Sequence, residues 1–538
     1  MSGRLHSCRV CVGLAMLGGF LTGLTLIAPQ AFGWLEWVSP ALAVPMLVRL
    51  AEEGAEQKRY LRAWRGGFLF FLPLYLVVFH WFLALYPLSF AGISPWLAAG
   101  VVALAWGGTA LFQSVGMAFC FVVIVLLWRM PFCAKYRWLR PLIAGAVFTV
   151  GEWLQSLGWF GVPWGRFALG QTAYLPLVQT ASLFGCYGIT FLVITVGFTV
   201  GQAVCTEGIG RRSLCALAGG FFVGNLLLGS ILLAVGNARE AEHTLRAGTV
   251  QGNFSTASKW DMTISETVDL YMEHMYRLAE EGTDFILLPE TALPFFLRDY
   301  EVYQDRIRTL TQTEEMTVFT GAFTYDASGE EYSSVLTYHT DGTVDDKVYH
   351  KRRPVPFGEF VPWRHLVTAL IPPLAELNLW VSDLSAGQEA TVVAAEGVRY
   401  GFLICFDSVY ESLARESVKN GAQILLLPTN DSWFLDSAAV HMHHKQARLR
   451  AVECGRSIVR AANTGISSVI TPTGRVTACL EPLVEGRLCA EVALYSHTTP
   501  YVLLGNWFIW GCFTLLLLPV ADKIRYLIRM RLDKIRPE

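Results

Sequence analysis

The chain has 538 residues, of which 53% are hydrophobic and 13% aromatic, and its mean hydropathy is +0.41. This composition is too apolar for an ordinary soluble enzyme, so much of the chain is expected to lie in lipid. The net charge of −2 excludes a large basic surface and argues against nucleic acid as a partner. The twelve cysteines are scattered, and they indicate neither a zinc site nor a disulfide framework.

Apolar runs long enough to cross a bilayer fill the first 236 residues and recur near the C-terminus. A transmembrane helix needs about 20 mostly apolar residues, because lipid offers no partners to its backbone. The fourth run is long enough to tilt, or to break at Gly107 and Gly108. We predict eight helices, at residues 10–28, 31–49, 67–86, 96–128, 141–158, 175–203, 214–236 and 501–520.

The charges of the connecting loops predict the topology, since Lys and Arg concentrate in cytoplasmic loops. Basic residues precede the first predicted helix and follow the second, fourth, sixth and last, whereas the alternate loops carry almost none. Both termini are therefore expected in the cytoplasm. The predicted domains are a seven-helix transmembrane domain at 1–240, an extracytoplasmic domain at 241–500, and an eighth helix with a basic cytoplasmic tail at 501–538.

The domain at 241–500 shows short apolar strands, bounded by Gly and Pro, that alternate with amphipathic helices. This pattern is typical of a layered α/β domain. Residues 363–380 are unusual because they are apolar and aromatic and are interrupted by Pro372 and Pro373. They fit either a lid that dips into lipid or a buried helical hairpin.

Three residues in this domain could carry chemistry. Cys405 follows an apolar run at the point where it opens into a turn, where a cysteine can act as a nucleophile. Glu290 follows the strand FILLP and could move protons, while Lys351 ends the strand DKVYHK and could stabilise an oxyanion. A structural role is the alternative for each residue: Cys405 could be a core cysteine, Glu290 a helix N-cap and Lys351 a solvated charge. The order Glu, Lys, Cys suits an acyl-transfer site.

Several sequence blocks carry a family resemblance. They are VQGNFSTASKW (250–260), LLPETALP (287–294), YHKRRPVPFGEFVP (349–362), ICFDSVYE (404–411), PTNDSWF (428–434) and HHKQARLRAVECGRSIVRAANTGISSVITPTG (443–474). Residues 245–480 resemble the nitrilase superfamily, and more closely its membrane branch, the apolipoprotein N-acyltransferase family. The resemblance implies a nitrilase-like α-β-β-α sandwich attached to a multi-pass α-helical membrane domain of eight helices.

Carried over by position, the resemblance implies Glu290 as general base, Lys351 as oxyanion stabiliser and Cys405 as nucleophile. Glu359, in the block PFGEF, matches a second acidic position that holds the lysine in place. No cofactor and no metal is predicted.

The resemblance also implies that Trp260 and Trp433 line the lipid entrance, although core packing is the ordinary interpretation of either residue. The family pattern after the nucleophile is Tyr-Glu, whereas this chain has Phe406 and Asp407. The phenylalanine keeps the ring without the hydroxyl, and the aspartate keeps the charge on a shorter side chain. Rate, donor preference or oxyanion geometry could differ as a result.

The implied reaction is a ping-pong acyl transfer through a thioester on Cys405. A membrane phospholipid is the donor, and the α-amino group of the N-terminal diacylglyceryl-cysteine of an apolipoprotein is the acceptor. The enzyme is expected to be a monomer in the bacterial inner membrane, with its catalytic domain on the periplasmic side.

Two other functions remain open from the sequence. A membrane-anchored nitrilase-type amidase or hydrolase would use the same residues with water as the acceptor. The second is a transporter or scaffold with an inactive outer domain; charges buried in the membrane would favour transport, but apart from Arg49 at the end of the second span only Glu36 and Glu152 lie within the predicted spans. The histidines at 441, 443 and 444 lack a fourth ligand at the spacing a zinc site needs. Whether Cys479 and Cys489 pair is also open.

Overall fold

A computed structural model describes residues 8–54, 57–88, 93–158, 161–254, 263–370 and 383–535. The chain divides into two compact units. The helical unit comprises Met1–His80, Ala103–Ala234 and Asn506–Glu538, and the sandwich unit comprises Trp81–Val102 and Val235–Gly505.

The α-helices of the described residues are, in chain order, α1 (Cys8–Ile27), α2 (Pro29–Phe32), α3 (Val44–Glu52), α4 (Arg59–Val78), α5 (Pro95–Trp128), α6 (Pro131–Lys135), α7 (Arg140–Leu154), α8 (Leu175–Val178), α9 (Ala181–Phe184), α10 (Cys186–Val204), α11 (Ile209–Ala238), α12 (Ile264–Glu280), α13 (Glu301–Glu314), α14 (Arg364–Leu370), α15 (Glu411–Lys419), α16 (Ala438–Cys454), α17 (Pro500–Leu504) and α18 (Trp507–Ile535). Short 3-10 helices occupy Gly33–Trp37, Ser39–Ala43, His80–Leu85, Arg137–Leu139, Phe167–Gln171, Leu297–Asp299 and Cys405–Val409.

The strands are β1 (His243–Gln251), β2 (Phe285–Leu287), β3 (Leu293–Phe296), β4 (Thr317–Tyr325), β5 (Glu331–Tyr338), β6 (Tyr349–His350), β7 (Val392–Ala395), β8 (Val398–Phe402), β9 (Ile424–Thr429), β10 (Ser457–Ala462), β11 (Ser468–Ile470), β12 (Val476–Cys479) and β13 (Gly486–Leu494).

Within the described residues, six helices are long and apolar enough to cross a membrane. They are Arg9–Ile27, Arg59–Leu85, Pro95–Trp128, Cys186–Val204, Ile209–Ala238 and Trp507–Leu532. A seventh span is formed if Pro29–Trp37 and Ser39–Glu52, which meet at 47°, are counted as one broken helix. The prediction of several apolar helices is confirmed, and the count of eight is approximate.

The differences from the predicted spans have local causes. The fifth predicted helix forms only as α7, whose 15 residues extend about 22 Å, because the chain turns at Gly158, where φ is 71°. The run at 175–203 is divided into α8, α9 and α10, with Gly185 (φ 71°) at the last break. Helix α5 continues without a break through Gly107 and Gly108.

Buried carboxylates hold the irregular segments of the helical unit. Glu152 accepts hydrogen bonds from the Phe167 backbone N–H at 2.8 Å and from the Thr190 hydroxyl at 2.7 Å. Glu36 accepts one from the Gln171 side chain at 2.6 Å. Non-helical backbone in an apolar environment needs such internal partners, so these two acidic residues have a structural use within the unit.

Two sheets form the centre of the sandwich unit. The seven-stranded sheet has the order β13-β1-β2-β4-β5-β6 with β3 beside β4, and the six-stranded sheet has the order β12-β11-β10-β9-β8-β7. Helices α12 and α13 pack on the first sheet, and α15 and α16 pack on the second. The predicted α-β-β-α sandwich is therefore confirmed.

Strand β2 is apolar at every position because both of its faces are buried. Phe285 and Leu287 point into the core between the sheets, where Phe285 meets Tyr400 of the second sheet with ring centroids 5.4 Å apart. Ile286 and Leu288 point to the opposite core, beneath the outer helices. A strand covered on both faces cannot alternate apolar with polar residues, and its end is held firmly from both sides.

Candidate active site

The three predicted residues each follow the carboxyl end of a strand. Glu290 lies three residues beyond β2, Lys351 directly follows β6, and Cys405 lies three residues beyond β8. The first two belong to the seven-stranded sheet and the third to the six-stranded sheet. The side chains of Glu290 and Lys351 are in direct contact, and their charges act on the Cys405 thiol.

Lys351 is the centre of a buried ion cluster. Its Nζ lies 2.7 Å from Glu290 Oε1 and 2.6 Å from Glu359 Oε1, and only 1% of the lysine is exposed. Burial lowers the pKa of Lys351, but the two carboxylates outweigh it and leave the pKa well above its usual value. The lysine therefore stays an ammonium and can stabilise negative charge, but it cannot act as a base.

Both carboxylates are fixed by backbone donors. The second oxygen of Glu290 accepts a hydrogen bond from Asn430 N at 3.0 Å, and that of Glu359 accepts one from Val355 N at 2.8 Å. Gly321 of β4 packs against the turn that holds Glu290: a Cβ there would lie 2.3 Å from Pro289 O. Since each carboxylate is held from both sides, the lysine has one well-defined position.

Cys405 has the left-handed backbone conformation, with φ at 50°, that only glycine adopts without strain. Burial raises the pKa of its thiol, the charge of Glu290 raises it further, and Lys351 acts in the opposite direction. The resting thiol is consequently protonated at neutral pH. A reaction at its sulfur needs a base, and Glu290 is the neighbouring carboxylate that can serve.

Asp407 ties the turn of Cys405 to the segment after β6. Its Oδ2 accepts hydrogen bonds from the Tyr349 hydroxyl at 2.9 Å and from Ile404 N at 3.0 Å. Its Oδ1 accepts from Arg353 N at 2.8 Å and from Arg352 N at 3.2 Å. The short aspartate side chain thus joins the two strand ends that carry Cys405 and Lys351.

Phe406 is 8% exposed, and its ring packs edge-to-face on Tyr410 with centroids 5.4 Å apart. Trp260 lies outside the described residues. Trp433 is half-buried, and the next residue, Phe434, packs edge-to-face on Trp81 at 4.9 Å. No local feature of the sequence pairs Trp81 with this segment, because the two lie far apart in the chain.

A buried cluster behind Cys405 was also missed. His443 contacts the Cys405 carbonyl, and Asp431 lies between His443 and Arg460. Ligand atoms of Cys405, Asp431 and His443 lie within 4.8 Å of one another, which is a spacing that metal ligands can have. Asp431, however, already pairs with the Arg460 guanidinium at 2.6 Å, and a buried cation in this position opposes binding of a second one.

Cys479 and Cys489 are both free thiols. In the apolar segment at 363–380, the described part is α14 with the residue before it, and Trp363 and Leu366 there are 61% and 52% exposed. Residues 371–380, which include both prolines, lie outside the described residues.

Comparison with known proteins agrees with this architecture. Residues 246–498 match the carbon-nitrogen hydrolase family, and residues 18–199 match the apolipoprotein N-acyltransferase N-terminal domain. The chain is thus a membrane protein that carries a catalytic domain of the carbon-nitrogen hydrolase class.

Full-length relatives define the family. An apolipoprotein N-acyltransferase of Gloeobacter violaceus is 31% identical over 508 residues, which cover 92% of this chain and 91% of the relative. Those of Geobacter metallireducens (93% and 92% covered) and Pseudomonas syringae pv. tomato (92% and 93% covered) are each 28% identical. The chain belongs to the apolipoprotein N-acyltransferase family and is a bacterial acyltransferase.

Proposed function

We propose that the chain transfers a fatty acyl group from a membrane phospholipid to the α-amino group of the diacylglyceryl-cysteine at the N-terminus of an apolipoprotein. Cys405 is the nucleophile, Glu290 the general acid and base, and Lys351 the oxyanion stabiliser. The observation that carries this proposal is the buried contact of Lys351 with Glu290 and Glu359, together with the action of the Glu290 and Lys351 charges on the Cys405 thiol at the end of the other sheet.

In the first half-reaction the Cys405 sulfur attacks an ester carbonyl of the phospholipid while its proton passes to Glu290. The negative charge that forms on the carbonyl oxygen is stabilised by the Lys351 ammonium and by a backbone N–H of the turn. The bond to the glycerol oxygen then breaks, and this oxygen takes the proton from Glu290. The products are a thioester and a lysophospholipid.

In the second half-reaction the neutral α-amino group of the lipoprotein attacks the thioester carbon. Glu290 accepts a proton from the nitrogen, the carbon–sulfur bond breaks, and the sulfur recovers a proton from Glu290. An amide is formed, and the enzyme returns to its starting state. One carboxylate serves both halves because the two substrates bind in succession at the same place.

The charge pattern of the loops supports a bacterial inner-membrane location with the catalytic domain in the periplasm and both termini in the cytoplasm. On this proposal, 1–240 and 501–538 form the membrane part of a monomeric enzyme, and 241–500 acts on substrates held in the outer leaflet. Confinement of both substrates to one membrane face favours their encounter.

We also propose that the apolar segment at 363–380, Trp260 and Trp433 guide the lipid chains and keep water from the thioester. The exposed apolar side chains of Trp363 and Leu366 support a surface that meets lipid. The same feature favours an amine acceptor over the water that an amidase or hydrolase would use.

The test is replacement of the nucleophile. Purified protein is incubated with phospholipid vesicles, and its intact mass and the mass of the peptide that contains Cys405 are measured. We expect an acyl adduct on Cys405 in the wild type and none in Cys405→Ala, together with loss of lipoprotein N-acylation. Cys454→Ala is the matched control, because Cys454 is a buried thiol of the same unit. Full N-acylation by Cys405→Ala would refute the mechanism, and release of free fatty acid without acylated protein would favour the hydrolase.

A further inference from the structure

The cluster behind the nucleophile consists of buried polar side chains that the proposed chemistry does not use. Ser408, Asp431 and Arg460 are 0% exposed, and His443 is 1% exposed. Polar groups are this deeply buried only when their hydrogen bonds are made within the protein, and here His443 and Ser408 both contact the carbonyl of Cys405 while Asp431 and Arg460 hold His443.

The contacts of His443 fix the orientation of its ring. Its Nε2 lies 3.0 Å from the carbonyl oxygen of Cys405 and 3.0 Å from the Ser408 hydroxyl, and with a hydrogen on Nε2 the ring donates to this carbonyl, which only accepts. Its Nδ1 lies 2.8 Å from Asp431 Oδ1. A guanidinium nitrogen of Arg460 lies 3.2 Å from the same ring nitrogen, so the ring is held between the Cys405 peptide on one side and the Asp431–Arg460 pair on the other.

Asp431 is held as a carboxylate. Burial raises its pKa, but the nearby Arg460 and His443 more than compensate, so the pKa lies below its usual value. Arg460 donates to Oδ2 at 2.6 Å, and the absence of a side chain at Gly465 makes room, since a Cβ there would lie 2.2 Å from this oxygen. The anion therefore stays in place and fixes the orientation of the imidazole ring.

The carbonyl of Cys405 receives a second donor, the Ser408 hydroxyl, at 2.8 Å. This carbonyl and the N–H of Phe406 belong to one planar trans peptide, in which the two groups point in opposite directions. Two donors on the carbonyl consequently fix the plane of the peptide and direct the Phe406 N–H away from His443. Polarisation of the carbonyl also strengthens the N–H as a donor.

The backbone of Cys405 needs such support. Its left-handed conformation is strained for a residue with a side chain, and it persists only when the surroundings hold it. The hydrogen bonds from His443 and Ser408 are made to the peptide that begins at this residue, so they can supply the restraint.

We propose that His443 is a positioning residue for the acyl transfer: through the Cys405 carbonyl it aims the Cys405 sulfur and orients the Phe406 N–H as the second oxyanion donor beside Lys351. The proposal rests on the function proposed for Cys405. In this proposal the Asp431–His443 pair positions the backbone of Cys405 and takes no part in proton transfer at its sulfur.

Two amide substitutions separate the two hydrogen bonds of the ring. The amide nitrogen of His443→Gln reaches the position of Nε2 and can still donate to the Cys405 carbonyl, whereas the amide of His443→Asn reaches only the position of Nδ1, next to Asp431. His444→Gln is the matched control, because His444 is the neighbouring residue of α16 and contacts Ser468 through its Nε2 at 3.0 Å.

The rate of acyl-enzyme formation from phospholipid vesicles is measured as kcat and KM, together with the unfolding temperature of each variant. We expect kcat of His443→Asn to fall about 10–100-fold and that of His443→Gln to fall no more than about threefold, with KM nearly unchanged. Equal losses in the two variants, the reverse order, or a change confined to KM would overturn the proposal. If His443→Asn does not fold, a fall in kcat of more than about tenfold in folded His443→Gln overturns it as well. Cys405→Ala in the same assay tests the proposed function separately, since acyl transfer by that variant would reject the nucleophile and not the positioning residue.

Discussion

Asp407→Asn should weaken both the stability of the sandwich unit and its catalysis, because it changes one buried atom at the junction of two strand ends. Asparagine keeps one acceptor oxygen and replaces the other by an NH2 group. If the NH2 takes the place of Oδ2 it faces Ile404 N–H, and if it takes the place of Oδ1 it faces the N–H groups of Arg352 and Arg353. In either orientation at least one buried N–H loses its acceptor.

The size of the effect follows from these contacts. A buried N–H without an acceptor costs about 1–3 kcal/mol, and loss of the charge weakens the remaining hydrogen bonds by about 1 kcal/mol more. The sum, about 3 kcal/mol, corresponds to a fall of about 5 °C in unfolding temperature for a unit of about 290 residues. Because the substitution also loosens the turn that carries Cys405, we expect kcat to fall about 10–100-fold.

Thermal unfolding and steady-state N-acylation are measured on Asp407→Asn and on Tyr349→Phe. The control removes the phenolic donor at 2.9 Å and leaves the backbone N–H partners of the carboxylate intact, so it should cost only about 1 kcal/mol. The reasoning is refuted if Asp407→Asn unfolds within about 2 °C of the wild type and keeps kcat within about twofold, or if Tyr349→Phe is equally damaging.

Three further predictions concern the ion cluster and its support. Lys351→Met should lower kcat about 10²–10³-fold with little change in KM, measured by N-acylation kinetics; an effect on KM alone would contradict its role at the oxyanion. Since burial and the charge of Glu290 raise the pKa of Cys405, its alkylation by iodoacetamide, followed by peptide mass, should be slow at neutral pH and accelerate as pH rises. In Glu290→Gln the same acceleration should begin at lower pH, and an unchanged profile would show that this charge does not act on the thiol. Gly321→Ala should destabilise the protein by about 1–3 kcal/mol in thermal unfolding, because its Cβ would lie 2.3 Å from a backbone oxygen. Gly486→Ala is its control, since a Cβ there meets nothing closer than 3.8 Å, and equal stability of the two variants would contradict the packing argument.

The strand ends that carry Glu290 and Cys405 could be predicted because each residue follows a short apolar run, and such runs are local in sequence, whereas Lys351 follows the largely polar segment DKVYH. The contact between Lys351 and Glu359 could also be predicted, since the two residues lie eight positions apart in the block at 349–362. A strand that is covered on both faces, such as β2, is apolar at every position, and such a continuous run can be recognised directly in the sequence.

The contacts that span long sequence distances could not be predicted. Asp407 was known only as a departure from the family pattern, and its four donors come from two separate segments. His443 was considered as one of three histidines without a fourth zinc ligand, whereas its partners in the structure are Asp431, Cys405 and Arg460. The apolar run at 175–203 resembled one span, because hydropathy averages over the break at Gly185 and does not register backbone conformation.

The division of the triad between two sheets has a consequence for biosynthesis. Glu290 and Lys351 are translated before Cys405, but neither faces the thiol until the six-stranded sheet, which ends with β12 at Val476–Cys479, packs on the seven-stranded one. The seven-stranded sheet in turn is incomplete until β13 has been made. A nascent or misfolded chain therefore carries Cys405 without Glu290 and Lys351 beside it. Under the proposed mechanism, Cys405 becomes reactive toward phospholipid only when the two sheets have packed together.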